Sequence, residues 1–271
     1  MLEFEILARG YYRPEQLAIA YQPSLRMPQT PEIQQWMDIL WEQKLVQARR
    51  NQTRLFDAPL FRLVELSSSS AQLSLVLGDT SYKEYVTTRV PEFAQNRSRP
   101  ELGNPLSVCS VVETSDQYIL LDRRQGVDVY VGRYHVIGGF FERELDMGTS
   151  PDPFAAMRRE IREETGIQSS DILAQHCLGA VYDLATPHAE LCFLTRLNIP
   201  LAVVQQERTP EEDEIKQLHS LQVTTESLRD FILHHHGNIS ATGEPNLLMY
   251  GALLFGEAWF ANLLSQLLAN S

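Results

Sequence analysis

Three glutamates and an arginine, spaced to share one helical stripe, carry the chemistry most legible in this chain. They stand in Arg159-Glu160-Ile161-Arg162-Glu163-Glu164-Thr165-Gly166-Ile167. At 100° per residue, Glu164 lies about 40° to one side of Glu160 and Glu163 about 60° to the other. The three carboxylates are therefore expected to converge on one point, as hard oxygen ligands do around a divalent cation that faces a phosphate. Ile161 and Phe154 fall roughly 100–120° away and give the helix an apolar stripe to seat on. Glu and Arg at i, i+3 and i+4 also cover many solvated helix faces, so the flanking residues decide.

Gly138-Gly139 follows the strand-like run Tyr134 to Ile137 and reads as a turn, with Glu142 three residues after Gly139. Asp152 and Pro153 make an N-cap and first-turn pair, and Gly166 stands where a left-handed residue ends a helix. Strand, glycine turn, capped acidic helix and glycine stop together favour a metal and phosphate site over a solvated face.

In these residues the chain resembles the Nudix hydrolases. Their box runs glycine, five residues, glutamate, seven residues, then Arg-Glu-aliphatic-x-Glu-Glu-x-Gly-aliphatic, and the second half matches at every fixed position from Arg159 to Ile167. The first half departs. Gly139 stands twenty residues before Arg159 where the pattern has fourteen, so six residues are inserted within Arg143 to Ser150. Eight residues before Arg159 comes Pro151 in place of glutamate, and the nearest acid is Asp152. Gly148 and its polar neighbours suggest that the insertion is a mobile loop.

A second resemblance lies outside the box. Leu55-Phe56-Asp57-Ala58-Pro59-Leu60-Phe61-Arg62-Leu63, Leu77-Gly78-Asp79-Thr80-Ser81-Tyr82-Lys83-Glu84 and Asn104-Pro105-Leu106-Ser107-Val108 look like the region before the box in Nudix UDP-sugar diphosphatases. The likeness covers roughly residues 54 to 167. It implies a Nudix-type α/β/α sandwich with a mixed sheet, and hydrolysis of UDP-glucose or UDP-galactose to UMP and a sugar 1-phosphate. Two other readings stand beside it: another nucleoside-diphosphate substrate such as ADP-ribose, or a Nudix-like module that binds a nucleotide without cleaving it.

The anionic oxygens of a pyrophosphate resist attack by water, so a cation must neutralise them and activate the nucleophile. Mg²⁺ or Mn²⁺ is expected, with Glu160, Glu163 and Glu164 as ligands and Arg159 orienting an acid through a bidentate pair. The base is one of these acids or a later glutamate. Glu190, Glu211, Glu212 and Glu214 are the later candidates, and the sequence does not choose among them. Gly139 and Glu142 are placed at the substrate, as are Arg123 and Arg124 near strand ends and Lys83 and Arg62 before the box. Each of these cations also reads as a surface charge. By the family resemblance Tyr82 stacks on uracil; in a strand core it would pack instead.

The formal charge of −12, from 35 acidic and 23 basic residues, argues against a nucleic-acid surface that must neutralise phosphates. A nucleotide remains compatible, because a metal brings its own charge. Cys109, Cys177 and Cys192 lie in apolar strand-like runs without CxxC spacing and read as buried thiols in a reducing, cytoplasmic setting. The early acids of MLEFEILARG do not suit a signal peptide. His234-His235-His236 reads as a surface helix end, since consecutive side chains diverge. No GxxxxGK[ST], GxSxG, HExxH or CxxC string occurs.

The elements expected to position the site follow from periodicity. Short strands or loops fill the first 28 residues, and Thr30-Pro31-Glu32 opens a helix whose Trp36 and Trp41 pack into a core. Phe61 to Leu66 and Leu73 to Leu77 form a hairpin through four serines, while Tyr82 to Val86 fits helix or strand. Pro91 to Pro105 marks a boundary between an N-terminal extension, 1–103, and a Nudix domain, 104–271. Strands are expected at Ser107 to Glu113, Tyr118 to Arg123, Tyr134 to Ile137, Cys177 to Asp183, Glu190 to Leu197 and Leu218 to Thr224. Helices are expected at Ser227 to His235 and Asn246 to Leu268. Polar residues interrupt the last helix too often for a membrane span. It reads as a core or oligomer-interface helix, which leaves room for a homodimer.

Overall fold

The computed structural model describes residues 2–125, 129–210 and 218–269. Strands β1 (Phe4–Tyr12) and β2 (Leu17–Tyr21) precede helix α1 (Pro31–Asn51). The Thr30 hydroxyl accepts from the Ile33 amide and Pro31 opens the first turn, as Ncap and N1 preferences dictate. Helix α1 buries Ile33 and Met37 against Met27, Phe93 and Leu102, and the Trp36 indole donates to the Thr87 carbonyl. Strands β3 (Pro59–Ser68) and β4 (Leu73–Ser81) form the expected hairpin, and β2 joins them in a three-stranded sheet ordered β2-β4-β3. The undecided segment is helix: α2 (Tyr82–Thr88), capped by the Ser81 hydroxyl on the Glu84 amide, followed by the short α3 (Pro91–Ala94).

The remaining elements are β5 (Leu106–Glu113), β6 (Tyr118–Arg123), β7 (Tyr134–His135), β8 (Ile137–Phe140), α4 (Arg143–Asp146), α5 (Pro153–Thr165), β9 (Ile172–Asp183) and β10 (His188–Leu197). After them come α6 (Leu201–Glu207), β11 (Leu218–Gln222), α7 (Thr225–His235), α8 (Gly243–Phe255) and α9 (Glu257–Ala269). The large sheet has eight strands in the order β1-β9-β10-β5-β6-β11, with β7 beside β6 and β8 beside β5. Only the β10–β5 pair is parallel. The sheet is therefore mixed, and the fold is the expected α/β class.

Strand β5 shows why the sheet has helices on both sides. All its residues are buried, and they divide by parity. Leu106, Val108 and Val112 join Phe154, Met157 and Ile161 of α5 and Leu73, Leu75 and Leu77 of the small sheet. Cys109 and Val111 join Leu228, Ile232, Leu247, Leu248, Leu263 and Leu267 of α7 to α9 on the other face. A strand buried on both faces must read as a continuous apolar run, and this one does.

Three expectations are corrected. Gly138-Gly139 is part of β8, paired with Cys109 and Val108 of β5, and not a turn after a strand. The insertion is structured: α4 forms one helical turn within it, and Met147 bridges Pro151. The C-terminal helix is two helices, because Gly256 adopts φ +89, a conformation open to glycine but costly with a Cβ. Strand β1, within the expected extension, pairs with β9 and joins the large sheet. All three cysteines are buried free thiols, and no helix among the described residues is long and apolar enough to cross a membrane.

Candidate active site

Helix α5 is capped as its sequence demands, with Asp152 accepting from the Phe154 and Ala155 amides and Gly166 left-handed at its end. Its apolar stripe seats on the core, and its acids face a cleft of about 1100 Å³. Lys44 of α1, Tyr82 and Tyr85 of α2, Arg89 just after it and Phe56 before β3 also line the cleft, as do His135, His188 and Glu190.

The acidic wall is organised around Arg159. Its Nε and Nη2 donate to the two oxygens of Asp146, both at 2.9 Å, and Nη2 also donates to the Phe140 carbonyl at 3.1 Å. Its Nη1 donates to Glu160 at 2.8 Å and Glu163 at 2.9 Å. Glu164 accepts from the Gly138 amide at 3.2 Å. Burial pushes Glu160 up to about 8; Arg159 opposes the shift and Glu163 adds to it. Burial likewise raises Glu142, and Asp146 and Glu163 reinforce it. Arg159 is held charged, because its carboxylates outweigh the cost of burying it.

The close approach of β8 to α5 explains the glycine there. A Cβ on Gly139 would lie 2.5 Å from a Glu160 carboxylate oxygen, so any larger residue would push that side chain away.

The expected convergence of three carboxylates is not what the structure has. The Arg159 guanidinium lies between Glu160 and Glu163, and among the described residues no group of three His, Cys, Asp or Glu side chains is gathered to hold a metal unaided. The donor set nonetheless suits a hard divalent cation. Every donor is a carboxylate oxygen, and burial, with Glu163 adding to it, raises Glu160 to about 8, a cost that an added cation would offset.

The wall formed by β7 and β10 is balanced by itself. Glu190 lies 3.8 Å from His188 Nε2 and 3.9 Å from His135 Nε2. The Thr186 carbonyl stands 2.6 Å from His188 Nδ1. The Thr186 carbonyl at Nδ1 and the Glu190 carboxylate near Nε2 both favour a proton on the ring. Burial opposes that charge, but Tyr85, Glu190 and Asp183 outweigh it and raise His188 to about 10. Burial also works against Glu190, yet the two histidines hold it down to about 2. His135 is buried near Arg124, lowered to about 3, and bonded through Nδ1 to the Ser240 hydroxyl at 2.6 Å. A carboxylate held this far down makes a weak base, so Glu190 is better suited to ion pairing than to taking a proton.

Of the residues singled out by sequence, Glu160, Glu163, Glu164, Arg159, Gly139, Glu142, Arg124 and Tyr82 all line the cleft. Arg62, Lys83 and Arg123 do not. Arg62 is buried, donates to the Pro100 and Leu102 carbonyls and braces the β3 region. Lys83 pairs with Asp38 at 2.5 Å and ties α2 to α1. Arg123 is exposed over the Tyr134 ring. Glu211, Glu212 and Glu214 lie outside the described residues. Sequence reasoning missed Asp146, His135 and His188. The two histidines stand at strand ends, His135 closing β7 and His188 opening β10, where one polar residue in an apolar run is a weak signal; Asp146 had none, being hidden in the insertion.

The family model described as NUDIX domain matches residues 103–239. No curated protein matches the chain. Among solved structures, the NUDIX domain of Shewanella oneidensis NrtR, complexed with ADP ribose, is 16% identical over 61% of this chain and 97% of that one, at a TM-score of 0.41. A Caenorhabditis elegans Ap4A hydrolase is 15% identical over 55% of this chain and 98% of that one, at 0.36. A bifunctional NMN adenylyltransferase/ADP ribose pyrophosphatase from Francisella tularensis, with AMP and a Mn ion, is 13% identical at 0.38. The match covers 56% of this chain and 42% of that enzyme, so it spans less than half of it.

Proposed function

The chain belongs to the Nudix family, and from that premise we propose that it hydrolyses the diphosphate bond of a nucleotide sugar, UDP-glucose or UDP-galactose, to UMP and a sugar 1-phosphate. One observation carries the reading: Glu160, Glu163, Glu164 and Arg159 line a roomy cleft together with Tyr82 from the segment before the box. The finer choice of a UDP-sugar rests on the resemblance of residues 54 to 108. The division into an extension, 1–103, and a catalytic part, 104–271, belongs to the same proposal.

Glu160, Glu163 and Glu164 would hold Mg²⁺ or Mn²⁺. When bound, such an ion supplies positive charge against the phosphates and lowers the pKa of water. Arg159 orients Glu160 and Glu163 through Nη1. One of these acids, or a later glutamate, would take the proton from the attacking water. Tyr82, packed edge-on against Phe140 and Tyr85, gives a planar base an aromatic wall.

The test is turnover with Mg²⁺, and separately Mn²⁺, on UDP-glucose, UDP-galactose, ADP-ribose, ADP-glucose and a dinucleoside polyphosphate. Preferred release of UMP and sugar 1-phosphate supports the proposal. Preferred cleavage of ADP-ribose keeps the catalytic wall and discards the UDP-sugar assignment. No turnover with either ion overturns the enzymatic reading in favour of a nucleotide-binding module.

A further inference from the structure

Eight residues before Arg159, where the box pattern has glutamate, stands Pro151, which has no side chain that could hold a guanidinium. The grip on Arg159 comes from elsewhere. Asp146 is 5% exposed while the neighbouring Glu144 and Leu145 are exposed. Its two oxygens take the Nε and Nη2 edge of Arg159 in a bidentate pair, and one of them also accepts the Glu142 amide at 2.8 Å. Fork-shaped pairing of this kind fixes orientation as well as adding energy. With that edge occupied, Nη1 is aimed at Glu160 and Glu163.

The turn that carries Asp146 is anchored from the other side. Arg143, at the start of α4, donates to the Leu60 carbonyl at 3.1 Å and pairs with Asp79 at 3.0 Å. Leu60 also bridges Glu142. Asp79 in turn accepts from the Tyr21 hydroxyl at 2.6 Å. An unbroken series of polar contacts runs from the small sheet through Arg143 and the α4 turn to Asp146, Arg159 and the acids of α5.

We infer that the insertion is a strut and that Asp146 is a positioning residue, which sets the orientation of Arg159 and through it the placement of Glu160 and Glu163. This deepens the proposed hydrolysis and rests on that reading for its kinetic half. It also assigns the N-terminal sheet a second task, bracing the catalytic helix through Arg143.

The experiment compares Asp146→Asn, Asp146→Glu and Arg143→Gln with the unaltered chain, measuring kcat, KM, Mn²⁺ affinity by electron paramagnetic resonance and melting temperature. Outer-shell partners of metal-binding groups typically contribute ~10–100-fold. Asp146→Asn should therefore lower kcat by about 10–100-fold with KM changed less than about threefold, and weaken Mn²⁺ binding by about tenfold. Asp146→Glu, which restores the charge, should recover a large part of both. Arg143→Gln should show the same pattern at about 3–10-fold. Asp146→Asn with wild-type kcat and Mn²⁺ affinity overturns the inference, and so does Asp146→Glu failing as badly as Asp146→Asn at an unchanged melting temperature. Should Asp146→Asn be unfolded, Arg143→Gln decides alone, with wild-type values against the inference. If the unaltered chain turns over none of the panel, the proposed function fails, and Mn²⁺ affinity across the variants still decides the strut.

Discussion

The two charged walls of the cleft are built on opposite terms. On the wall of β7 and β10, Glu190 is flanked by two imidazoles, and its charge is cancelled by His188. On the wall of α5, Asp146, Glu160 and Glu163 share Arg159 as the buried cation, and burial, with Glu163 beside it, raises Glu160 to about 8. Burial is equally severe on both sides, so burial alone does not set the charge state; the partners do. The wall of β7 and β10 is balanced as folded, whereas on the wall of α5 Arg159 is shared among Asp146, Glu160 and Glu163.

Replacing Glu163 by Gln breaks the contrast most sharply. Removal of a metal-binding or acid–base group costs on the order of 10²-fold or more in kcat. The fold should survive, since Gln keeps an oxygen that can accept from Arg159, so a melting temperature near wild type with turnover lost is the expected pair of results. Gly139→Ala attacks the same wall through shape. A Cβ 2.5 Å from a Glu160 oxygen should displace that carboxylate and lower kcat by about tenfold, read by the same turnover assay, with Mn²⁺ affinity falling in parallel.

The balanced wall predicts a pH dependence instead. His188 keeps its proton to about 10 in the fold against 6.5 ordinarily, so its contribution to stability is complete below pH 6.5 and is lost as pH rises toward 10. Glu190, held to about 2 against 4.5, contributes fully above pH 4.5 and loses its part as pH falls toward 2. Melting temperature should thus decline from pH 6.5 to 10, and His188→Gln should flatten that decline; an unchanged slope would refute the imidazolium. The smallest effect is expected at the aromatic side. Tyr82→Ala should raise KM for a nucleotide sugar by about 3–10-fold, the scale of one aromatic contact, with kcat little altered.

How much of this was readable in the sequence depends on how local the cause was. Helix α5, its Asp152 cap and its Gly166 stop follow from residues within a turn of one another, and so does the Thr30 cap of α1. The two-faced burial of β5 shows in its unbroken apolar run. Long-range causes left little trace. Asp146 is thirteen residues before Arg159 and meets it across the insertion, whose Arg143 contacts Leu60 and Asp79. Arg62 and Lys83 read as phosphate binders because cations near a site look alike in sequence, while their partners, the Pro100 carbonyl and Asp38, are chosen by the fold. The glycine pair was legible as important, but its reason, room for the Glu160 carboxylate, belongs to the packing of β8 on α5.

The pairing of β1 with β9 bears on how the chain acquires its fold. Phe4 meets Asp183 and Tyr12 meets Cys177, contacts separated by most of the polypeptide. Such distant pairing closes large loops and slows folding. During synthesis β1 precedes β9 and must wait, unpaired, until β9 follows. A chain beginning at residue 103 would leave β9 as an open edge of the sheet, an invitation to associate with other chains.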